Sequence, residues 1–249
     1  MRQRLLQALL LAVLSFAAVA ADKPTPQARE ASAAGFRYVV FETANAKPDE
    51  ALAMIIGLHY SSARPEAMLE YFDSIDFPAR IVLPQGEYTR REGYSWFPGD
   101  YADLTPAQQD AVVSATGEKL AAFVERVGKR HPSRGKPVVM GISYGGDLSF
   151  LLAIRHPQLF SASFPIASRF LPSWMPAANT CEPSCSPIRA MHGDADTTVP
   201  IGPTRDAIAL LQKMDYDVSM TPYAGVAHDF DAQMQRDFAG QAEKILEDH

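Results

Sequence analysis

Short apolar runs that alternate with helical patterns constrain the fold of this chain most strongly. Each run is long enough for one strand, and the segments between the runs repeat apolar residues at helical spacing. This alternation is typical of a mostly parallel sheet with helices on both faces. The sequence therefore predicts a single-domain α/β fold with strands at Phe36–Phe41, Leu52–Leu58, Arg80–Leu83, Val138–Ile142, Ala162–Ile166, Ile188–Met191 and Val218–Pro222, and helices at Pro65–Asp73, Pro106–His131, Tyr144–His156, Gly202–Met214 and His228–Glu247.

The first 35 residues do not follow this pattern. Two arginines are followed by an apolar run and by Ala18-Val19-Ala20, which is the layout of a secretory signal peptide with its cleavage site. The apolar run is short for a membrane span, although an uncleaved membrane anchor is the alternative. We predict a signal peptide at 1–20, a flexible lead-in at 21–35 and one domain at 36–249.

The charge balance limits the partners of this chain. The formal net charge is −6, and cleavage after residue 20 removes two arginines and no acid, which leaves −8. An acidic chain without a basic patch lacks the phosphate-neutralising contacts that dominate nucleic-acid binding. We predict no nucleic-acid partner and no stable membrane insertion after the signal peptide is removed.

The only two cysteines, Cys181 and Cys185, stand close together in CEPSCSP. A closely spaced pair in an exported protein indicates a disulfide. The alternatives are a metal site, which would need more ligands nearby, and a redox pair, whose usual spacing is C-x-x-C. We predict a structural disulfide.

A glycine-rich turn joins the predicted strand at 138–142 to the helix that follows it. Gly141-Ile142-Ser143-Tyr144-Gly145 fits the G-x-S-x-G pattern of a serine nucleophile on a strand-to-helix turn. Glycines suit such a turn because the strained backbone brings neighbouring segments close together. The alternative is a plain turn that happens to contain a serine.

Candidate partners for Ser143 follow later strands. A serine nucleophile needs a base, and the base needs a carboxylate that orients it. Asp194 and Asp196 follow the strand at 188–191, and His228 follows the last strand. Because the carboxyl ends of parallel strands meet at one edge of a sheet, we expect these side chains to converge on Ser143.

Four motifs together resemble a known family. They are GISYGG, HGDADTTVP, GVAH and the segment YSWF, and they span most of the chain after residue 20. The chain resembles the α/β-hydrolase superfamily, and within it the phospholipase/carboxylesterase family that includes acyl-protein thioesterases. The resemblance implies that Asp196, which precedes x-x-Val-Pro, is the triad acid, whereas Asp194 makes turn hydrogen bonds. It also implies that His192 is structural, and His228 remains as the base.

Two backbone N–H groups are expected to stabilise the oxyanion. One comes from Tyr144, the residue after the nucleophile. The resemblance points to Ser61, in the loop after the second strand, for the other. Tyr60 stands where relatives have glycine, so the choice between Tyr60 and Ser61 stays open.

Two long loops, at 84–104 and 167–187, interrupt the alternation. Loops of this length in a compact domain are often functional, and both are expected to overhang the crevice at the carboxyl ends of the strands. Their aromatic residues either line a substrate pocket or pack the loops against the domain. The pocket interpretation assigns Trp96, Phe97 and Trp174 to the pocket together with Tyr60, and it places the cysteine pair beside them.

These predictions favour an exported serine hydrolase, periplasmic or secreted, that cleaves carboxylic ester or thioester bonds through Ser143, His228 and Asp196. Its expected partner is a small-molecule ester, no cofactor and no metal are implied, and the oligomeric state is not specified. Two alternatives remain, namely an exported serine peptidase or amidase on the same fold and a non-catalytic binding module.

Overall fold

The structure is a computed structural model that describes residues 28–47, 51–179, 181 and 185–247. The signal peptide predicted at 1–20 lies outside the described residues. The strands of the described part are β1 (Arg29–Ala33), β2 (Phe36–Glu42), β3 (Ala53–Leu58), β4 (Ala79–Pro84), β5 (Tyr88–Arg90), β6 (Gly93–Ser95), β7 (Val138–Ile142), β8 (Ala162–Ile166), β9 (Ile188–Gly193) and β10 (Val218–Tyr223).

Eight of these strands form one sheet, in which parallel pairing dominates. The order is β1-β2-β4-β3-β7-β8-β9-β10, and β5 pairs with β6 in a separate hairpin. All neighbours from β4 to β10 in this order are parallel, whereas β2 is antiparallel to both β1 and β4. Every residue of β3, β7 and β8 is buried, as expected for parallel strands that are covered on both faces.

Helices cover the two faces of the sheet. Alternate residues of β3 belong to different apolar clusters, with Met54 and Ile56 in one and Ile55 in the other, so the clusters lie on opposite faces. The first cluster also contains residues of the helices Pro106–Arg130 (α1), Tyr144–Arg155 (α2) and Ile201–Lys213 (α3). The second contains residues of the 3₁₀ helix Pro65–Phe72 and of the helix Ala232–Glu247 (α4). The predicted α/β fold is therefore confirmed.

An additional edge strand, β1, occupies part of the segment that was predicted to have little structure. Arg29–Ala33 pairs along its whole length with β2, from Arg29 opposite Val40 to Ala33 opposite Phe36. An edge strand is stabilised by backbone hydrogen bonds on one side and needs only a few apolar contacts. Ala31 and Ala33 supply these contacts to the core. The absence of an apolar run therefore did not indicate the absence of a strand.

The last helix begins later than predicted. It starts at Ala232 rather than at His228. The carboxylate of Asp231 accepts hydrogen bonds from the N–H groups of Gln233 and Met234, which is the contact that caps a helix N-terminus. His228 consequently lies in the loop between β10 and α4.

The second long loop does not stay at the crevice. It leaves the carboxyl end of β8 but must reach the amino end of β9, because the two strands are parallel. Asn179 donates a hydrogen bond to the carbonyl of Asp215, which precedes β10, and Cys185 stands three residues before Ile188. The structure contains the disulfide between Cys181 and Cys185, but the expectation that it overhangs the crevice is wrong.

Candidate active site

Ser143 lies on a sharp turn between β7 and α2. Its backbone has φ 55° and ψ −118°, a left-handed conformation that a non-glycine residue rarely adopts. The neighbouring glycines are required by space, since a Cβ on Gly145 would lie 2.1 Å from the carbonyl oxygen of Leu58 and one on Gly141 would lie 2.1 Å from that of Gly145. The predicted strand, turn and helix are therefore present around this serine.

Ser143, His228 and Asp196 form a continuous hydrogen-bonded chain. His228 Nε2 lies 3.1 Å from Ser143 Oγ, and His228 Nδ1 lies 2.8 Å from Asp196 Oδ2. The three residues come from the loops after β7, β10 and β9, which meet at the carboxyl edge of the sheet. The Asp196 side chain is fully buried, whereas a quarter of the His228 side chain is exposed. The structure thus brings together the three side chains that the sequence singled out.

The two candidate aspartates have different surroundings. Asp196 Oδ1 accepts hydrogen bonds from the N–H groups of Thr198 and Val199 at 2.9 and 2.8 Å. Burial alone would raise the pKa of Asp196, but the Val199 N–H and His228 lower it below its usual value, so this carboxylate is ionised at neutral pH. Asp194 is exposed and accepts a hydrogen bond from the Gly225 N–H, which is the turn contact expected for it.

The segment that carries Tyr60 and Ser61 is braced from behind by His59 and Trp96. Buried His59 stacks on Trp96 with ring centroids 4.7 Å apart, and the Trp96 indole N–H donates to the His59 carbonyl at 2.7 Å. His59 Nε2 accepts from the Gly86 N–H, so its proton is on Nδ1, which donates to the Tyr60 carbonyl. Burial lowers the pKa of His59 to about 4, so the ring stays neutral and structural.

A cavity of about 620 Å³ opens beside Ser143. Ser61 and Tyr144, the candidate oxyanion residues, both line it, as do Tyr60 and His228. Tyr144 is the first residue of α2, so its N–H has no partner within the helix. The candidate oxyanion residues therefore lie on the cavity that Ser143 faces.

Three of the four residues predicted for the pocket lie elsewhere. Trp96 and Phe97 are fully buried, Trp174 is 2% exposed, and none of them lines the cavity. Trp96 braces the Tyr60–Ser61 segment, Phe97 stacks on Tyr101, and Trp174 packs on Phe170. Their pocket assignment is wrong, because these rings fix the loops onto the core. Tyr60 alone of the four lines the cavity.

Sequence reasoning missed an ion pair that shapes the cavity wall. Arg169 follows β8 and binds the buried Asp147 of α2 through its backbone N–H and its guanidinium. The guanidinium also lies over the rings of Tyr101 and Tyr144, at 5.7 and 5.3 Å from their centroids. Although burial by itself would lower the pKa of Arg169, Asp147 raises it on balance. The signal in the sequence was an aspartate inside an otherwise apolar helix, which needs a cationic partner when buried.

Two further findings concern metal binding and membrane-spanning helices. Among the described residues, no group of three or more His, Cys, Asp or Glu side chains has the arrangement of a metal site. A search of the same residues for a helix long and apolar enough to cross a membrane found none.

Comparisons with known proteins agree with this fold. Among solved structures, a carboxylesterase from Mesorhizobium loti has 18% identity and a TM-score of 0.72, with 87% of this chain and 98% of that chain covered. A carboxylesterase from Bacillus cereus has 14% identity and a TM-score of 0.69, with 84% and 94% covered. Esterase PE8 has 18% identity and a TM-score of 0.68, with 80% and 95% covered. No curated protein matches the chain significantly.

A family model shows which family this chain belongs to, which structures of such low sequence identity cannot do. The model described as Phospholipase/Carboxylesterase matches residues 46–244, which is most of the chain. The matched range contains the turn at Ser143 and the loops of Asp196 and His228. The resemblance drawn from the four motifs is confirmed, and this chain belongs to the phospholipase/carboxylesterase family, whose members are hydrolases of the α/β-hydrolase fold.

Proposed function

We propose that this protein is an exported serine hydrolase that cleaves carboxylic esters or thioesters through Ser143, His228 and Asp196. Family membership supports ester hydrolysis in general. The observation that carries the proposal is the position of His228, with Nε2 at 3.1 Å from Ser143 Oγ and Nδ1 at 2.8 Å from Asp196 Oδ2. This is the geometry that a serine needs to lose its proton during attack.

In the acylation step, Ser143 Oγ forms a bond to the acyl carbon of the substrate. The hydroxyl proton moves to His228 Nε2, and the electron pair of the carbonyl moves onto its oxygen. When the carbonyl re-forms, the bond to the leaving alcohol or thiol breaks, and the proton on His228 passes to that leaving group. Asp196 stays ionised and holds the imidazolium through Nδ1–H.

Water completes the cycle. It attacks the acyl carbon and gives one proton to His228 Nε2, and the proton then returns to Ser143 Oγ as the acid leaves. In each tetrahedral intermediate, the N–H groups of Tyr144 and of Ser61 stabilise the oxyanion. Loss of one such donor costs about 10²–10³ in rate in a well-studied hydrolase.

Export is part of the proposal. It is supported by the signal-peptide pattern at residues 1–20 and by the disulfide between Cys181 and Cys185, which an oxidising compartment would maintain. We expect the mature protein in the periplasm or the medium, with an N-terminus near Ala21. N-terminal sequencing of protein recovered from both fractions tests this part independently of activity.

The purified mature protein, assayed in parallel on 4-nitrophenyl butyrate and on the matching butyryl 4-nitroanilide, tests the reaction. We expect turnover of the ester, much slower turnover of the anilide, and loss of both in Ser143→Ala. Faster cleavage of the anilide would instead indicate an amidase. Turnover that persists unchanged in Ser143→Ala would contradict the proposed nucleophile.

A further inference from the structure

The cavity beside Ser143 is cationic, although the chain as a whole is acidic. Arg90, Arg91 and Arg169 all line it, and Asp229 is the one acidic residue that lines it within the described part of the chain. The formal net charge of the whole protein is −6. Asp147 pairs with Arg169, so the charge of Arg90 and Arg91 is opposed only by that of Asp229 among the residues that line the cavity in the described part of the chain. The cavity therefore presents an environment that favours an anion.

Neither guanidinium of Arg90 and Arg91 makes a hydrogen bond or an ion pair with the described residues. Arg90 is the last residue of β5, where it pairs with Gly93, and Arg91, with φ 51°, begins the turn to β6. By contrast, the guanidiniums of Arg80 and Arg189 are bound by Glu42 and Asp217. The two hairpin arginines are thus free to bind a ligand.

The guanidinium of Arg169 is held in place, but one of its nitrogens has no hydrogen-bond partner among the described residues. Asp147 binds its Nε and Nη2, and the rings of Tyr101 and Tyr144 hold the plane of the guanidinium. Its Nη1 makes no hydrogen bond with the described residues. A guanidinium held in this way is pre-organised to donate hydrogen bonds to an anionic group of a substrate, such as a carboxylate.

The remaining lining is compatible with an anionic ligand. Tyr60 and Tyr71 also line the cavity, and the Asp229 carboxylate already accepts the Phe230 N–H. The two tryptophans that the sequence assigns to the substrate pocket, Trp96 and Trp174, are buried in the core instead. The cavity wall is therefore suited to a polar, charged group rather than to a long alkyl chain alone.

We propose that the preferred substrates are esters that carry a carboxylate or phosphate-type group in the same molecule, bound by Arg90, Arg91 and Arg169. This inference rests on the proposed function, because it places the anionic group and the scissile carbonyl in one cavity. The shared chemistry is a group with two or more anionic oxygens, which matches the forked donors of arginine.

Matched ester pairs test the preference. One pair is mono-4-nitrophenyl adipate and its methyl ester, and the other is 4-nitrophenyl 5-phosphonopentanoate and its dimethyl ester. We expect kcat/KM about tenfold higher for the charged member of at least one pair, and we expect added salt to reduce this ratio because screening weakens the attraction. The pair with the larger ratio identifies the anionic group as carboxylate or phosphate-type.

The double variant Arg90→Gln, Arg91→Gln tests the residues. It should bring the charged-to-neutral ratio of kcat/KM close to one, because the charged ester loses an attraction that its neutral partner does not have. The double variant Arg126→Gln, Lys129→Gln is the matched control, because it removes two exposed positive charges on α1, away from the cavity. Arg169→Gln is avoided as the main test because it leaves the buried Asp147 unpaired.

Binding separates this inference from the proposed function. Adipate and 5-phosphonopentanoate are titrated calorimetrically against Ser143→Ala and against the triple variant that also carries the two hairpin substitutions. We expect at least one of them to bind Ser143→Ala and its affinity to fall about tenfold in the triple variant. Arginine-dependent binding without turnover of any ester would contradict the proposed function alone. Turnover of neutral esters with a ratio near one in the wild type, or a ratio unchanged in the double variant, would overturn the anion preference alone.

Discussion

The two edges of the sheet differ in what they hold. At the carboxyl edge, the loops after β7, β9 and β10 bring Ser143, Asp196 and His228 into contact beside a cavity. At the amino edge lies the end of the second long loop, residues 179, 181 and 185–187 of the described part, here called the cysteine loop. Asn179 donates to the Asp215 carbonyl, and Ser186 Oγ lies 2.6 Å from the carbonyl oxygens of both Pro157 and Phe160. We therefore expect substitutions at the first edge to change the chemistry and those at the second to change mainly stability.

Both long loops were expected to overhang the crevice, but only the first has its hairpin there. The first loop is followed by α1, a long helix that carries the chain back to the amino edge, so its hairpin stays at the cavity. The second loop has no such helix among its described residues and must make the return itself before β9. Starting at a strand's carboxyl end is therefore not enough to place the whole of a loop at the crevice.

The largest effect is expected at Ser143. Ser143→Ala removes the proposed nucleophile and should reduce kcat by about 10⁶, as for the serine of other triads. The fold should be retained, because the hydroxyl contacts His228 and does not pack in the core. Steady-state kinetics and a thermal melt of the same sample measure both effects. A variant kcat within tenfold of the wild-type value would contradict the proposal that the carboxyl edge carries the chemistry.

The two neighbouring aspartates provide the next comparison. Asp196→Asn should lower kcat about 10⁴-fold, because the amide can no longer hold His228 with its proton on Nδ1. Asp194→Asn keeps an oxygen for the Gly225 N–H and should change kcat less than about threefold, in line with ordinary surface substitutions. The same ester assay ranks the two variants. A larger loss in Asp194→Asn would show that the wrong acid was chosen.

Two buried tryptophans give a smaller but sharper contrast. Trp96→Phe removes the N–H that binds the His59 carbonyl behind the Tyr60–Ser61 segment, and we expect kcat to fall about tenfold, part of the cost of losing an oxyanion donor. Trp174→Phe is the control, because the Trp174 N–H has no hydrogen-bond partner among the residues that the structure describes. KM for a short ester should change little in either variant. Equal kcat values for the two variants would show that the Trp96 N–H does not support the Tyr60–Ser61 segment during catalysis.

The smallest effect on activity is expected at the disulfide. Replacement of Cys181 and Cys185 by serine should lower the free energy of unfolding by about 2 kcal/mol, the chain-entropy value for so short a loop. KM should stay within about twofold for both short and bulky esters, since the cysteine loop is anchored at the amino edge. Urea unfolding and a panel of esters measure these quantities. A selective rise in KM for bulky esters would show that this loop contributes to substrate binding at the crevice.

Much of the fold and of the candidate site followed from the sequence, for identifiable reasons. The buried parallel strands appear as unbroken apolar runs, and the turn at Ser143 needs glycines where Cβ atoms would collide with backbone. Both features leave a local signal. Asp196 was distinguished from Asp194 only through the family resemblance, because the two residues share a local setting.

The parts that sequence reasoning missed depend on contacts between distant segments. Whether an aromatic residue such as Trp96 lines a pocket or braces a loop depends on what lies behind it, here His59. β1 is stabilised by backbone pairing at an edge, which leaves little trace in side-chain pattern. The cationic cavity arises where one hairpin and the loop after β8 meet, so no single segment of the sequence displays it.

Labelling with a fluorophosphonate probe tests the central claim most directly. A nucleophilic serine activated by His228 should react stoichiometrically, and peptide mapping of the mature protein by mass spectrometry locates the adduct. We predict one adduct per chain, on Ser143, with labelling retained in Ser61→Ala and lost in Ser143→Ala and His228→Ala. An unlabelled wild-type protein, or an adduct on another serine, would contradict the account.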